Sequence, residues 1–307
     1  MKILVTDGIT QEGEKILTDA GHDIYHQSFS PQDLVAHIAN YDCIIVRSAT
    51  KVTKEVIDAG ANLKVIARGG VGLDNIDVVH AEKKGIKVLN TPGASAISVA
   101  ELTIGHMLAV SRFLHVSTAE MRQGKWPKKE YSGGIELYKK ILGIIGLGNI
   151  GKEVARRALG MGMQVLAHDP PFAPMDFIVE ITTKEKLLTN SDFITLHVPF
   201  DPDRGPTIGK KEFLQMKKGV ILINCARGGV VDQEALLEAL ESGRVGGAAI
   251  DTFEHEPPTA VEKALMSYPR VSVSPHIGGS TKEAQERVGT EIAVKVVKAL
   301  NPIGRGP

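Results

Sequence analysis

Apolar residues along this chain fall into two recurring patterns. Short runs such as Ile3 to Val5, Cys43 to Val46 and Leu63 to Ala67 have no polar face and are rich in β-branched residues. That is the pattern of strands covered on both sides. Between the runs, apolar residues recur at three- and four-residue spacing, as on helices with one face against a core. In the first hundred residues this predicts strands at Ile3 to Val5, His22 to Tyr25, Cys43 to Val46, Leu63 to Ala67 and Ile86 to Leu89. Helices are predicted at Gln11 to Ala20, Pro31 to Ala39, Lys54 to Ala59 and Ile76 to Lys84. Such alternation implies a parallel sheet with helices on both faces, an α/β lobe of its own.

Ser95 to Gly124 is mostly apolar with helical spacing, one helix or two joined, and Gln123 to Gly134 is a polar, Gly-rich connector. The domain boundary is expected near residue 97. Beyond the connector, strands are predicted at Ile141 to Ile145, Met163 to Ala167, Phe193 to Leu196, Val220 to Ile223, Ala248 to Ile250 and Val271 to Ser274. Six parallel strands make a complete doubly wound sheet, and such sheets bind ligands outside the carboxyl ends of their strands. Those ends carry Gly146, Asp169, His197, Arg227, Asp251 and His276. Lys282 to Leu300 is amphipathic and helical, and the Pro/Gly-rich tail Asn301 to Pro307 is expected to fray.

The centre of the pattern is ILGIIGLGNIG, Ile141 to Gly151. An apolar run enters Gly146-x-Gly148-x-x-Gly151, which opens into the helical segment Lys152 to Leu159. In a dinucleotide-binding unit the first glycine permits the turn, the second lets backbone approach a pyrophosphate, and the third lets helix pack on strand. The helix N-terminus offers N–H groups and a positive dipole end to the phosphates. Alone, GxGxxG often marks only a crowded turn. Here Asp169 ends the next apolar run, about 20 residues on, where an acid that bonds the ribose is expected. The fold class is therefore α/β: two doubly wound, Rossmann-like parallel-sheet domains with a cleft between them.

Length and charge narrow the partner. The 307 residues suffice for about two domains. The 36 basic residues balance 36 acidic ones without blocks of like charge, so no footprint for nucleic acid or an anionic membrane is seen and a small-molecule partner is expected. Met1-Lys2 precede only three apolar residues, too few for a signal-peptide core, and no run approaches a membrane span. A cytoplasmic location is the resulting expectation. Cys43 and Cys225 lie within predicted buried strands and are expected as reduced, packed thiols, with no metal site.

A dinucleotide with an acidic ribose contact suggests hydride transfer, which needs a proton carrier for the alcohol oxygen and a grip on the substrate. Of ten histidines, eight lie on predicted helices, in turns or in the first lobe, or, like His255, beside a stronger candidate. His197 and His276 remain, each at a strand end. His276 precedes the flexible turn Ile277-Gly278-Gly279-Ser280-Thr281, with room for substrate, while His197 precedes the stiffer Val198-Pro199, suited to lining the cofactor. Residue chemistry alone leaves both open. Glu254 and Glu256 adjoin the Asp251 strand end; Glu254 is expected as a solvated turn acid, while Glu256 could fix a histidine tautomer or be a second such acid. Arg227, before Gly228-Gly229, could grip a carboxylate with its planar fork or satisfy nearby carbonyls. In the first lobe Arg47 and Arg68 follow strands in the same way, and the turn Arg68-Gly69-Gly70-Val71-Gly72 would add backbone N–H groups to an anion site.

Seven stretches taken together carry a resemblance: ARGGVGLDNID from Ala67, NTPG from Asn90, VAEL from Val99, GLGNIG from Gly146, NCARGGVVD from Asn224, AAIDTFEHEPP from Ala248 and SPHIGGSTKEAQ from Ser274. The chain resembles the D-isomer-specific 2-hydroxyacid dehydrogenases over nearly its whole length, most of all their phosphoglycerate-oxidising branch in its short form without the ACT domain. The resemblance implies Arg227, Glu256 and His276 as the catalytic set, selecting His276 over His197. It implies Asn149, Ile150, Asp169, Cys225 and Asp251 at the cofactor, alongside the fingerprint glycines, His197, Val198 and Pro199, with Val71, Ala226, Gly278 and Gly279 completing that set. Substrate contacts are expected from Arg47, Ser48, Arg68, Gly69, Gly70 and Asn75. The family's first and last segments form one lobe, so residues 1–97 with 285–307 are expected as the substrate domain and 98–284 as the NAD domain. Two departures touch the cofactor periphery: a short Asp169 to Asp192 stretch, and Arg204-Gly205-Pro206-Thr207 in place of a Pro-x-Thr loop.

The resemblance implies NAD-dependent oxidation of D-3-phosphoglycerate, the first step of serine biosynthesis. Glyoxylate or hydroxypyruvate reduction by the same catalytic set is the alternative, and a silent NAD-sensing corepressor-like protein the alternative of another class. It also places Ser95 to Gly124 and the connector around Trp126 in a homodimer interface, and Leu102 to Leu114 is in addition too apolar to leave solvated.

Overall fold

The computed structural model describes residues 1–169 and 177–301. The expected fraying of the tail concerns residues that, from 302 on, lie outside the described residues, as do 170 to 176 of the short stretch after Asp169. The chain forms two compact units, Met1–Ser95 with Gly279–Pro307, and Ala96–Gly278.

The first unit runs β1 (Lys2–Val5), α1 (Gln11–Asp19), β2 (Asp23–His26), α2 (Pro31–His37), β3 (Cys43–Val46), α3 (Lys54–Ala59), β4 (Val65–Arg68), α4 (Val78–Lys83) and β5 (Lys87–Leu89). Its five strands are all parallel in the order β2-β1-β3-β4-β5, so the chain reverses its direction of growth between β1 and β3. Side chains alternate across this sheet, as the two-residue period of a strand requires. Leu4, Ile44 and Ile66 meet α2 and α3 residues such as Leu34, Val56 and Ile57. Ile3, Ile45 and Val65 face the other way, toward Leu17 and toward Ile292 and Val296 of a helix from the far end of the chain.

In the second unit, α5 (Ala96–Ser111) and α6 (Leu114–Arg122) precede β6 (Ile141–Ile145), α7 (Asn149–Gly160), β7 (Gln164–His168) and β8 (Glu180–Ile181). Then come α8 (Lys184–Asn190), β9 (Phe193–Leu196), α9 (Lys210–Gln215), β10 (Val220–Asn224), α10 (Gln233–Glu241), β11 (Val245–Ile250), α11 (Ala260–Ser267) and β12 (Val271–Val273). The sheet order is β12-β11-β10-β9-β6-β7-β8, with the reversal between β6 and β9. It has seven strands where the sequence pattern predicts six. The extra one, β8, is a two-residue exposed edge strand with no apolar run to announce it.

The final helix, α12 (Lys282–Leu300), returns to the first unit. Its seat on α1 is made by paired glycines. A Cβ on Gly13 would lie 2.6 Å from the Gly289 carbonyl oxygen, and one on Gly289 would lie 2.1 Å from Thr10 Oγ1. The first unit therefore begins again at Gly279, earlier than the expected 285, because the cap of α12 is already anchored there: Thr281 Oγ1 accepts from the Ala284 amide, and Arg287 Nε donates to the Ala94 carbonyl.

Two helices fill 95 to 124, broken at Phe113, whose φ of 56° is left-handed. The apolar content of α5 is used inside its own unit, with Met107 and Val110 buried against Leu142, Ile144 and Ile221. Most of Leu102 to Leu114 is thus accounted for without a subunit interface; exposed large apolar residues in and around it are Ile97, Leu114, Met121, Trp126, Ile135 and Tyr138. Among the described residues no single helix is long and apolar enough to cross a membrane, and the α5–α6 pair that would be is bent by 68°.

Candidate functional site

At the end of β6 the three glycines take different tasks. Gly146 has φ +96°, and a Cβ there would lie 2.5 Å from the His197 carbonyl oxygen at the end of β9. A Cβ on Gly151 would lie 2.1 Å from the Gly146 carbonyl oxygen, so the start of α7 presses on the turn itself. Gly148 is different: a Cβ there would meet nothing within 4 Å, and no side chain caps the helix it begins. An open backbone position at a twelve-residue helix's N-terminus, next to the sheet's reversal point, fits the pyrophosphate of a dinucleotide. Asn149 and Ile150 form the first turn of that helix. Asp169 stands directly after β7, and its Oδ2 accepts the Leu147 amide at 2.7 Å, which fixes the carboxylate beside the fingerprint where a ribose would lie. The residues present fit NAD.

The loops after β10, β11 and β12 carry the expected catalytic set, and those after β11 and β12 meet through Glu256 and His276. The Asn224 side chain ties down the first of them, with Oδ1 accepting the Ala226 amide at 3.1 Å and Nδ2 donating to the Arg227 carbonyl at 3.0 Å. Gly228 then lies flat on the second, since a Cβ would be 2.0 Å from the Phe253 carbonyl oxygen. Arg227, half-buried, donates from Nη1 to the Ala226 carbonyl at 2.7 Å. In the second loop Glu256 accepts the Phe253 amide at 3.1 Å. His276 Nδ1 sits 2.9 Å and 3.1 Å from the two Glu256 carboxylate oxygens. A carboxylate only accepts, so Nδ1 carries the proton and Nε2 presents a lone pair. The arrangement is a base with a fixed tautomer, able to take a proton and to have its charged form stabilised.

His276 occupies an unusual backbone position, φ 53°. Asp251, 1% exposed, holds it there: its carbonyl accepts the His276 amide at 2.8 Å, and its carboxylate accepts Ile277 N–H at 2.9 Å and Gly278 N–H at 2.8 Å. In this structure Asp251 anchors the turn that carries the base. Glu254 stays exposed and has no such contact among the described residues. His197 differs sharply. Burial pushes its imidazole down to about 3, its Nε2 is bonded to Thr195 Oγ1 at 3.0 Å, and Nδ1 is buried without a partner among the described residues. A ring so depressed cannot hold a proton near neutrality, a direct reason to prefer His276. Val198 and Pro199 continue from it along the rim, with Val198 against Gly146. Cys225 and Ala226 are buried below, and desolvation pushes the Cys225 thiol up to about 12, leaving it an inert packing group.

In the first unit the reversal point between β1 and β3 is made of side chains. Asp7 Oδ2 accepts the amides of Arg47 (2.7 Å) and Thr50 (3.0 Å), while Asn75 Nδ2 donates to the carbonyls of the same two residues at 2.7 Å and 2.6 Å. Asn75, expected as a substrate contact, therefore shapes the Arg47 loop with its amide nitrogen. Arg68 donates to the carbonyls of Arg47 and Gly72. The expected anion cradle of glycine amides is not formed at its start: Gly69 N–H donates to the Val46 carbonyl and Gly70 N–H to that of Arg68, both at 2.9 Å. Gly69 serves packing, since a Cβ would lie 3.1 Å from Val288 of α12. Ser48 is exposed, and Val71 half-buried. Arg47 lines an open cavity of about 540 Å³ with Ser280, Thr281, Lys282, Gln285 and Glu286, and no described carboxylate forms an ion pair with its guanidinium. Asp77, nearby in sequence, caps α4 by accepting the His80 amide at 3.0 Å. Gly279 packs on Ser95 in this unit.

One group escaped the sequence reading. His106, on α5, is 6% exposed, and both its ring nitrogens lie 2.9 Å from serine hydroxyls, Ser272 and Ser274. The only signal was a histidine on the buried face of an otherwise apolar helix.

The profile of the family described as D-isomer specific 2-hydroxyacid dehydrogenase, NAD binding domain, matches residues 104–278. The chain belongs to this family. It is a NAD-dependent D-2-hydroxyacid dehydrogenase. It is 48% identical to a hydroxypyruvate reductase of Thermotoga maritima over 301 residues, 97% of this chain and 98% of that one. It is 45% identical to a D-3-phosphoglycerate dehydrogenase of Methanocaldococcus jannaschii over 305 residues, covering 98% of this chain but only 57% of that one. A solved glyoxylate reductase from Paecilomyes thermophila superposes with a TM-score of 0.89 at 30% identity, over 98% of this dehydrogenase and 95% of that chain.

Proposed function

We propose that this dehydrogenase oxidises D-3-phosphoglycerate to 3-phosphohydroxypyruvate. The observation that carries the reading is Arg47: a guanidinium without an ion-pair partner among the described residues, beside Lys282, in an open cavity. A small unphosphorylated acid has no use for cations beyond those that hold its carboxylate, whereas a phosphate gains charge-assisted bonds from them. NAD supplies the hydride acceptor. Arg227 holds the carboxylate and polarises the carbon–oxygen bond, and His276 Nε2 takes the hydroxyl proton as the hydrogen on that carbon leaves as hydride. The products are the 2-oxoacid, the reduced cofactor and an imidazolium, which the Glu256 carboxylate stabilises. Cofactor choice follows from Asp169, which accepts from a ribose 2'-OH and repels a 2'-phosphate.

The second reading is reduction of hydroxypyruvate or glyoxylate, favoured by the Thermotoga relative whose whole length the chain spans. A silent NAD sensor is disfavoured by the assembled His276–Glu256 pair. We further propose a cytoplasmic homodimer, with the exposed apolar residues of α6 and the connector, Leu114, Met121 and Trp126, and Tyr138 just beyond it, in the interface; sedimentation as a monomer at micromolar concentration refutes it. The substrate is tested by a kcat/KM panel of phosphoglycerate, glycerate, hydroxypyruvate and glyoxylate. Preference for the unphosphorylated acids installs the second reading.

A further inference from the structure

The His276 turn rests on groups deeper than its immediate contacts. Ser274 Oγ donates to Asp251 Oδ1, the same oxygen that accepts Ile277 N–H, so the buried carboxylate is held by a hydroxyl and two amides. A hydroxyl has one proton. With that proton committed to Asp251, Ser274 can only accept from His106, which requires a proton on His106 Nε2. His106 Nδ1 then carries the lone pair and accepts from the Ser272 hydroxyl. Every proton in the chain of bonds points one way, from Ser272 through His106 and Ser274 to Asp251. Burial lowers the pKa of His106, against an opposing pull from Asp251, which keeps the ring in the neutral form that this polarity needs.

We propose that His106 and Ser274 are positioning residues for catalysis: their one-way hydrogen-bond relay orients the buried Asp251 carboxylate, which in turn holds His276 in its left-handed turn facing Glu256. The left-handed region is disfavoured for a residue with a Cβ, so the turn persists only while its neighbours determine it. The Asp251 carboxylate supplies two of the bonds that do so, accepting the consecutive amides of Ile277 and Gly278. Ser274 adds a third bond, on the oxygen that also accepts Ile277 N–H, and so strengthens the hold on that side of the carboxylate; His106 sets the direction of Ser274. Neither residue is expected to touch substrate or cofactor.

The role of this relay in turnover rests on the reading of His276 as proton carrier, but its geometry is testable without turnover. Nitrogen-15 NMR of the histidine rings at pH 7.5 should show His106 as the Nε2–H tautomer; the Nδ1–H tautomer overturns the relay. Ser274→Ala should speed hydrogen exchange at the Ile277 and Gly278 amides, and Ser274→Thr, which keeps the hydroxyl, should not; equal exchange in all three proteins overturns it. In turnover, His106→Leu should lower kcat by about tenfold and leave the KM for NAD within about twofold, the signature of a misplaced group rather than a lost binding contact. His106→Gln, which offers a donor and an acceptor in the same sense, should recover most of that loss. If Gln and Leu are equally impaired, His106 acts by packing and the proposal fails. If the Leu variant does not fold, the Ser274→Ala and Ser274→Thr pair decides by the same kcat comparison. A wrong reading of His276 gives a different result, with His276→Ala fully active while the tautomer and amide protection remain as stated.

Discussion

Both sheets of this chain reverse their order at one point, and the two points differ in what meets there. Between β6 and β9 it is backbone: Gly146 against the His197 carbonyl, Gly151 against that of Gly146, and open space at Gly148. Between β1 and β3 it is side chains: Asp7 and Asn75 bind the Arg47 loop from both sides, and Arg68 closes over it. The topology is shared, because right-handed crossovers send the loops on the two sides of the reversal in opposite directions and leave a crevice between them. What the loops can bind is set by residue type. Removing side chains admits a ligand's phosphates to the amides and dipole of a helix; keeping cations offers long-range charge to whatever anion arrives.

The largest break in the comparison is expected from His276→Ala. It should lower kcat by at least about 10²-fold while NAD binding, measured by fluorescence titration, is retained. The same variant of His197 should be milder on turnover, because its ring is neutral and already bonded to Thr195. Comparable losses of kcat would mean that the second unit's chemistry has been assigned to the wrong strand end.

Next in size is Arg47→Ala, which tests the first unit alone. The KM for phosphoglycerate should rise by about 10- to 100-fold, the range for losing charge-assisted bonds, with little change for glycerate or hydroxypyruvate. Equal weakening of all acids means that Arg47 does not read a phosphate.

A stability measurement separates the supports of the two regions. Glu262 is buried beneath the loop that carries Glu256, binding the Thr259 amide at 3.0 Å and His255 Nδ1 at 2.7 Å. Burial works to raise its pKa, but bonds from Thr259 and His255 prevail and bring it down to about 2. A depressed carboxylate stabilises the fold above its unfolded value, near 4.5, and that contribution fades as pH falls toward 2. Glu262→Gln should therefore lower stability to urea at pH 7 by about 1 to 2 kcal/mol, allowing for solvent screening, with a smaller gap at pH 3. A gap that is constant with pH removes the electrostatic account. The smallest effect is expected at Asp169: replacing it by Ala should narrow the preference of kcat/KM for NAD over NADP by about 3- to 10-fold. Equal use of both cofactors by the unaltered protein contradicts this outright.

Reading residues in order reached far into this molecule, for a physical reason. Buried parallel strands must be apolar on both faces and so announce themselves; β2, mostly exposed at an edge, is still marked by Ile24 and Tyr25, while β8, two exposed residues at the other sheet's edge, is not. Glycine spacing and the acid at Asp169 are local requirements of a phosphate-binding turn and a ribose contact, legible without any partner in space. Two things were not local. The glycine amides after Arg68 looked available but are taken by Val46 and Arg68 carbonyls, an outcome that depends on how the turn closes. His106 looked like a packed histidine because its two serines lie 166 and 168 residues away.

The sequence by itself therefore determined the sheets, the fingerprint and the identity of the residues at each strand end, since these depend on period, size and charge at neighbouring positions. The tertiary structure alone decided which of them meet: His276 with Glu256 across 20 residues, Arg47 with Asn75 across 28, α1 with α12 through Gly13 and Gly289. Such meetings arise where loops from separate strands are packed onto one edge of a sheet, and no periodicity along the chain encodes the distances between them.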